Sequence, residues 1–216
     1  MPKPNLRILL IHLLFSIVFL MIRAIQSESI TYLFLIWNSI LAYIPYLISL
    51  YLNSKKHWSL NLIILGFWLL FFPNAPYILT DFVHLHLRPS PDFWFDLIIF
   101  FSFAINGLII GFLSLRRVFR WISQYVSQPI AWIASYSALT MAAFGIYLGR
   151  IERWNSWDIL LHPFALVKNI YQVLFPVQEQ MDVWWFTMLF GLFLMGHYYF
   201  FLKLSVRTQK SSHEID

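Results

Sequence analysis

The sequence has no cysteine and little charge. Without cysteine there can be no disulfide framework, thiolate nucleophile, cysteine-ligated zinc or iron–sulfur cluster. Any metal would have to rest on histidine, aspartate and glutamate. Charged residues fill 12% of the 216 positions, against about 25% in a soluble domain. Hydrophobic residues fill 60% and aromatic residues 20%. A soluble domain of this length cannot cover so much apolar surface, and a disordered chain would be polar. The 15 Lys and Arg outnumber the 10 Asp and Glu, for a net charge of +5. In so apolar a chain that excess points to a bilayer with two unlike faces as the partner and not to nucleic acid.

A membrane-spanning helix needs about 20 apolar residues. Six stretches reach or approach that length: 8–22, 30–52, 58–72, 93–115, 130–148 and 183–202. Pro73 and Pro76 are expected to end the third, and Pro129 suits the first turn of the fifth. The expected fold is therefore all-α: a polytopic integral membrane bundle of about six spans. Residues 1–205 read as one transmembrane domain and 206–216 as a short polar tail. The basic start at Lys3 and Arg7, the apolar run behind it and Ser27-Glu28-Ser29 imitate a signal peptide, but the later spans favour an uncleaved first span. Residues 159–177 carry His162, Pro163, Lys168, Asn169 and Gln172. A lysine at a span centre costs about 2.5–3.5 kcal/mol, so this stretch is expected to lie in the outer interface as an amphipathic helix. Asn155 or Ser156 would cap its start, with Asp158 in the first turn.

Charge sorting gives the orientation. With the N-terminus inside, inner segments hold ten basic residues and two acidic ones. Outer segments hold five basic residues and eight acidic ones, among them Asp81, Asp92, Asp96, Glu152 and Asp158. The expected location is the cell (plasma) membrane, multi-pass, with both termini cytoplasmic. Small residues at Ala138, Ala142, Gly145 and Gly149 line one face of the fifth span. Gly107 and Gly111 form a GxxxG pair in the fourth, and the two smooth faces are expected to meet.

Two outer stretches are dense in polar residues. The first runs from Asn74 and Tyr77 through Thr80 to Asp81, His84 and His86. If helical, it puts Asp81 and His84 on one face, where they could work as a base and its orienter; if extended, it pairs His84 with His86. The second holds Arg150, Glu152, Arg153, Trp154, Asn155, Trp157 and Asp158. Arg150 and Arg153, three residues apart, suit a phosphate or carboxylate. Dipole compensation at a helix end and neutralisation by Glu152 and Asp158 are the plainer reading. Asp96 inside the fourth span is expected to pair with Arg150 or Arg153, and Asn38 and Asn106 to bond across helices. His12 and His197, in the two terminal spans, fall short of the facing pair that a bis-histidine haem needs. No metal site or cofactor is assigned.

These residues resemble the bacterial multi-pass membrane proteins catalogued as domain of unknown function 1361. The resemblance rests on Trp37-Asn38 with Pro45, Phe72-Pro73-Asn74-Ala75-Pro76-Tyr77 with Thr80-Asp81 and His84-Leu85, and Trp94-Phe95-Asp96. It continues in Gly107 with Gly111 and Ser114-Leu115, and in Tyr147-Leu148-Gly149-Arg150 with Arg153-Trp154-Asn155-Ser156-Trp157-Asp158. His86 is outside the pattern, which weakens a two-histidine metal site. The resemblance implies an integral membrane protein and no particular activity.

Whether the chain is an enzyme stays open. One reading is an outer-face site, at Asn74, Tyr77, Asp96, Arg150, Arg153, Trp154, Asn155, Trp157 and Asp158, that binds or processes an anionic or lipid-linked ligand. There Asp81 and His84 would move protons. The others are a small proton-coupled transporter using Asp96 and a non-catalytic assembly partner in a membrane complex. Substrate and oligomeric state are not encoded in any recognisable motif.

Overall fold

The computed structural model describes residues 6–55, 57–87, 92–177 and 181–212, with side chains throughout except at 86, 87 and 205–212. The regular elements among them are all helical. Six stretches are long and apolar enough to cross a bilayer: Leu6–Ser27, Thr31–Ser49, Trp58–Leu85, Phe93–Ile122, Gln128–Arg150 and Met181–Leu204. The chain is thus a multi-pass helical membrane protein, as its composition indicates. Contacts gather into two compact units, one within residues 4–125 and one within 126–216.

The first unit contains α1 (Leu6–Ser27), a 3-10 turn at Thr31–Leu33, α2 (Phe34–Ser49) and α3 (Trp58–Phe71). It continues through α4 (Asn74–Tyr77), a second 3-10 turn (Ile78–Phe82) and α5 (Val83–Leu87) to α6 (Phe93–Ile122). Its spans show lipid-type patterning. In α1 the buried residues are Leu9, Ser16, Leu20 and Arg23, while Ile8, Ile11, Leu14 and Phe15 are exposed. Hydrocarbon accepts the apolar face, so helix association there relies on close packing and polar contacts. α6 is the axis, against which α1, α2, α4 and the second 3-10 turn pack. α3 packs on α2 and reaches α6 where the Trp68 indole N–H donates to Ser114 Oγ at 2.7 Å.

The third span does not stop at Pro73. It continues as short helical turns, so that Trp58–Leu85 forms one run and Asn74–Asp81 lies within it. Proline removes backbone donors, and side chains near the break add bonds to backbone carbonyls. Asn74 Nδ2 donates to the Phe71 carbonyl at 2.9 Å, and Thr80 Oγ1 donates to the Tyr77 carbonyl at 2.7 Å. This rebuilt segment supplies the neighbours of the GxxxG pair: Gly107 and Gly111 receive Ala75 and Ile78. A Cβ on Gly107 would fall 2.8 Å from the Ala75 carbonyl oxygen and 2.9 Å from Ile78 Cδ1. One on Gly111 would fall 2.8 Å from Ala75 Cβ.

The second unit contains α7 (Gln128–Arg150), α8 (Asp158–Leu161), α9 (Pro163–Leu174) and α10 (Met181–Ser212). α7 packs along α10, with Gly191 against Thr140 (3.6 Å to Cα from a built Cβ) and Ala143 (3.9 Å to its Cβ). Tyr147, Val173 and Val183 form a small core with Phe144 and Phe186 beside it. The expected single helix over 159–177 is divided at His162, ahead of Pro163, which has no amide hydrogen to continue α8. α9 has 12 residues, or about 18 Å at 1.5 Å per residue, too short for a hydrocarbon layer of about 30 Å. It buries Leu166 and Val173 and exposes Phe164, Val167 and Tyr171. That partition fits a helix with one face in the membrane interface.

Replacing Gly107 with alanine must push the rebuilt segment off α6. We expect Gly107→Ala to lower stability by about 1–3 kcal/mol, the usual cost of overpacking. Thermal unfolding in detergent checks this. Gly66→Ala, inside α3 and with no atom within 4 Å of the added carbon, is the control expected not to lower the midpoint.

Candidate functional site

The candidate residues fall into two clusters, one in each unit. In the unit 4–125, the cluster is built where α1, α2 and the rebuilt third span meet α6. Asp96, in the first turn of α6, is fully buried. Arg23 holds it through two hydrogen bonds, from Nε to Oδ1 and from Nη2 to Oδ2 at 3.3 Å. Tyr32 OH donates to the same Oδ2 at 3.3 Å, and Arg23 Nη1 lies 3.6 Å from Asp92 Oδ2. The partner of Asp96 is therefore Arg23, and the expectation that it pairs with Arg150 or Arg153 is corrected. Arg23, near the end of α1, is only 7% exposed, so its charge meets the buried Asp96 carboxylate largely sealed from solvent.

Asp81 is also fully buried and accepts a hydrogen bond from Asn38 Nδ2 at 2.8 Å. It sits in the 3-10 turn, and His84, three residues on, lies in the first turn of α5. The His84 ring lies against Phe34 of α2, with centroids 4.8 Å apart. Both side chains are thus drawn towards α2, in keeping with the eclipsed i, i+3 spacing of a 3-10 turn. Asn74 and Tyr77 serve the backbone of the rebuilt segment, Asn74 through its amide and Tyr77 through its carbonyl. The side chain of His86 lies outside the described residues.

Deeper along α6, Asn106 ties three elements together. It accepts from Tyr43 OH at 2.9 Å, donates to the Leu9 carbonyl at 2.9 Å and lies 3.3 Å from His12 Nδ1. His12 is therefore part of a packing contact. His197 lies 2.8 Å from the Phe193 carbonyl of its own helix.

In the unit 126–216, the cluster follows the end of α7. The Trp154 backbone N–H donates to the Leu148 carbonyl at 3.0 Å and closes a loop in which Arg153 takes φ 62°. A non-glycine residue in that left-handed region costs about 1–3 kcal/mol and is held there only by its surroundings. Trp154 Nε1–H donates to Asn169 Oδ1 of α9 at 2.9 Å, and Asn169 Nδ2 donates to Glu152 Oε2 at 2.9 Å. Asp158 accepts from Asn155, from its backbone N–H at 2.6 Å and its Nδ2 at 3.3 Å. This reverses the expected cap, since the Asp158 side chain serves the Asn155 backbone. Trp157 precedes α8 and supplies its carbonyl to Leu160 N–H at 3.0 Å. Glu152 and Asp158 are thus engaged by amides. Among the described residues Arg153 makes no ion pair, and it is exposed.

Sequence reasoning did not identify Asn169 as the bridge between Trp154 and Glu152, nor Arg23 and Asn38 as the partners of the buried acids. A signal existed for Arg23: an arginine inside a span calls for a carboxylate at equal depth.

Residues 37–196 match the model of a family described as Protein of unknown function (DUF1361), and the chain belongs to that family. No curated protein matches it, and no solved structure does.

The family supplies no residue roles, so substitution has to separate architecture from chemistry at Asp96. Arg23→Met should destabilise the protein by about 3–5 kcal/mol, because it leaves a buried carboxylate unpaired. Arg23→Met combined with Asp96→Leu should recover most of that loss. Unfolding midpoints in detergent read both. A double variant as unstable as the single one would show that Arg23 acts through something other than this pair.

Proposed function

We propose that this protein resides in the cell membrane with both termini cytoplasmic, and that its segment 150–158 faces outward and binds an anionic or lipid-linked ligand. The ten-to-two excess of basic residues over acidic ones in the alternate set of segments supports the orientation. One observation carries the ligand class. Arg153 is exposed and left-handed, while the neighbouring acids Glu152 and Asp158 accept hydrogen bonds from Asn169 and Asn155. A guanidinium presented in this way offers a planar set of donors to phosphate or carboxylate oxygens. Arg150, one turn earlier, adds positive charge, and Trp154 and Trp157 suit the headgroup layer. Proton-coupled transport through Asp96 is less well supported, because the carboxylate expected to carry the proton is held by Arg23 and Tyr32.

Two measurements test this reading. The chain has no cysteine, so single-cysteine labelling has no background. Asn155→Cys should react with a membrane-impermeant maleimide in intact cells, and Ser127→Cys only after permeabilisation. The opposite pattern would reverse the orientation. For the ligand, farnesyl monophosphate titrated into the full chain in phosphatidylcholine nanodiscs should bind saturably. Arg153→Gln should weaken it by about tenfold or more, as a charge-assisted hydrogen bond of about 1.5–3 kcal/mol requires. Equal binding by Arg153→Gln and by an Arg150→Gln/Arg153→Gln variant would remove the anion role.

A further inference from the structure

In the unit 126–216 an apolar groove of about 470 Å³ runs along α10. Met181, Met188 and Met195 line it at equal intervals, so they form one stripe down the helix, about 21 Å long at 1.5 Å per residue. They are half of the chain's six methionines. Trp184 and Trp185 flank its beginning, and Leu192 with Thr140 of α7 completes the walls. No charged residue is among the lining. The Thr140 hydroxyl donates to the Tyr136 carbonyl at 3.1 Å and the Thr187 hydroxyl is buried, so the groove offers methylene, thioether and ring surface.

α7 and α10 run antiparallel, which fixes the end at which the groove starts. Tyr147 meets Phe186 with ring centroids 5.7 Å apart, Thr140 lies against Gly191, and Trp132 meets Tyr198 at 6.2 Å. Rising numbers on α10 thus meet falling numbers on α7. Met181 and Trp184 therefore stand at the end of α7 that bears Arg150, and Met195 lies between the levels of Thr140 and Trp132. Arg153 stays at the Arg150 end, because the Trp154 N–H is bonded back to the Leu148 carbonyl at 3.0 Å. Asp182 is there too, in the first turn of α10, where the helix dipole accommodates its charge. Tryptophans at this level suit the headgroup layer, and the methionine stripe leads from it into hydrocarbon.

Helices that associate in lipid approach through small residues. This lining is mostly large, and Trp185, Met188 and Leu192 are exposed. Methionine is unbranched and adapts to an irregular partner, so the surface fits a thin flexible chain better than a helix. The volume sits in the lower part of the roughly 300–1,000 Å³ range of small-molecule sites, which suits one chain better than two. Bulk lipid gains nothing from the hydrophobic effect by entering, since hydrocarbon surrounds the groove already. A chain tied to a head that is held at the same end enters at high effective concentration. We propose that the groove takes the single hydrocarbon chain of an anionic lipid whose head is bound at Arg153; this rests on the role proposed for Arg153 as the anion-binding group.

The test uses the full chain in phosphatidylcholine nanodiscs. Farnesyl monophosphate carrying a photoreactive diazirine at its chain end is crosslinked, and the site is mapped by peptide mass spectrometry. Label is expected at Met188, Leu192 or Met195. Label spread equally to Leu189 and Phe200, which are exposed and outside the lining, identifies bulk lipid and overturns the proposal. Met188→Trp, which fills the groove, should weaken binding of farnesyl monophosphate by about tenfold, or about 1.4 kcal/mol. Leu192→Trp should do the same, and Leu189→Trp should have no effect. Thermal midpoints without ligand report the folding of all three. Binding unchanged in folded Met188→Trp and Leu192→Trp, or weakened as much in Leu189→Trp, overturns the groove and leaves the role of Arg153 standing. Loss in Met188→Trp with none in Arg153→Gln supports the groove and overturns the role of Arg153 alone. Absence of saturable binding by the parent chain overturns both.

Discussion

Hydrocarbon offers a carboxylate nothing in place of water, and the arrangement of the first four spans follows from that. Asp96 is fully buried because Arg23 reaches it with two hydrogen bonds and Tyr32 adds a third. These contacts join α1 and the turn before α2 to the top of α6. Asn106 repeats the pattern three turns on, where it binds the Leu9 carbonyl and Tyr43. α1, and α2 together with the turn before it, are thus pinned to α6 at two depths by groups that would otherwise face lipid. Such pairs add little net stability over a well-packed apolar substitute. Their effect is on register: a shift of α1 by one turn would separate Arg23 from Asp96.

The rebuilt third span depends on the same constraint at the level of the backbone. Pro73 and Pro76 remove two donors that a helix needs, and backbone polar groups in lipid must be satisfied internally. Around the break, Asn74 and Thr80 bond the carbonyls of Phe71 and Tyr77. The resulting turns bring Ala75 and Ile78 against Gly107 and Gly111 so closely that any Cβ on either glycine would collide. The glycine pair and the Pro-Asn-Ala-Pro segment are therefore two halves of one contact.

The number of spans and the all-helical class were legible in the sequence because they depend on runs of apolar residues, which need no knowledge of contacts. The short, mixed character of 159–177 was legible for the same reason, through Lys168 and Pro163. Partners were not. Asp96 and Arg23 are separated by 73 positions, and composition offers several cations to choose among. The third span was cut at Pro73 because proline usually ends a helix. Its continuation relies on Asn74, a residue whose service to a carbonyl three positions back is visible only once the turn is built. Gly107 and Gly111 were rightly marked as an approach face, but a sequence cannot say which backbone approaches.

Acids are fewer than bases in this chain and at first look like its chemistry, yet the structure commits four of them elsewhere. Asp81 accepts from Asn38, Asp96 from Arg23 and Tyr32, Glu152 from Asn169 and Asp158 from Asn155. Proton transfer at any of these would first have to break a bond that positions a helix or a loop. Arginines are not so uniformly committed. Arg23 is sealed against a carboxylate, whereas Arg153 is exposed in a strained loop and Arg117 has a buried donor with no partner. A group that binds by charge must keep some charge uncompensated in the empty protein, and in the described residues that surplus is positive. Anion recognition therefore follows more directly from this arrangement than acid–base catalysis does. It places the informative substitution at Arg153, and leaves the buried carboxylates Asp81 and Asp96 as framework of the unit 4–125.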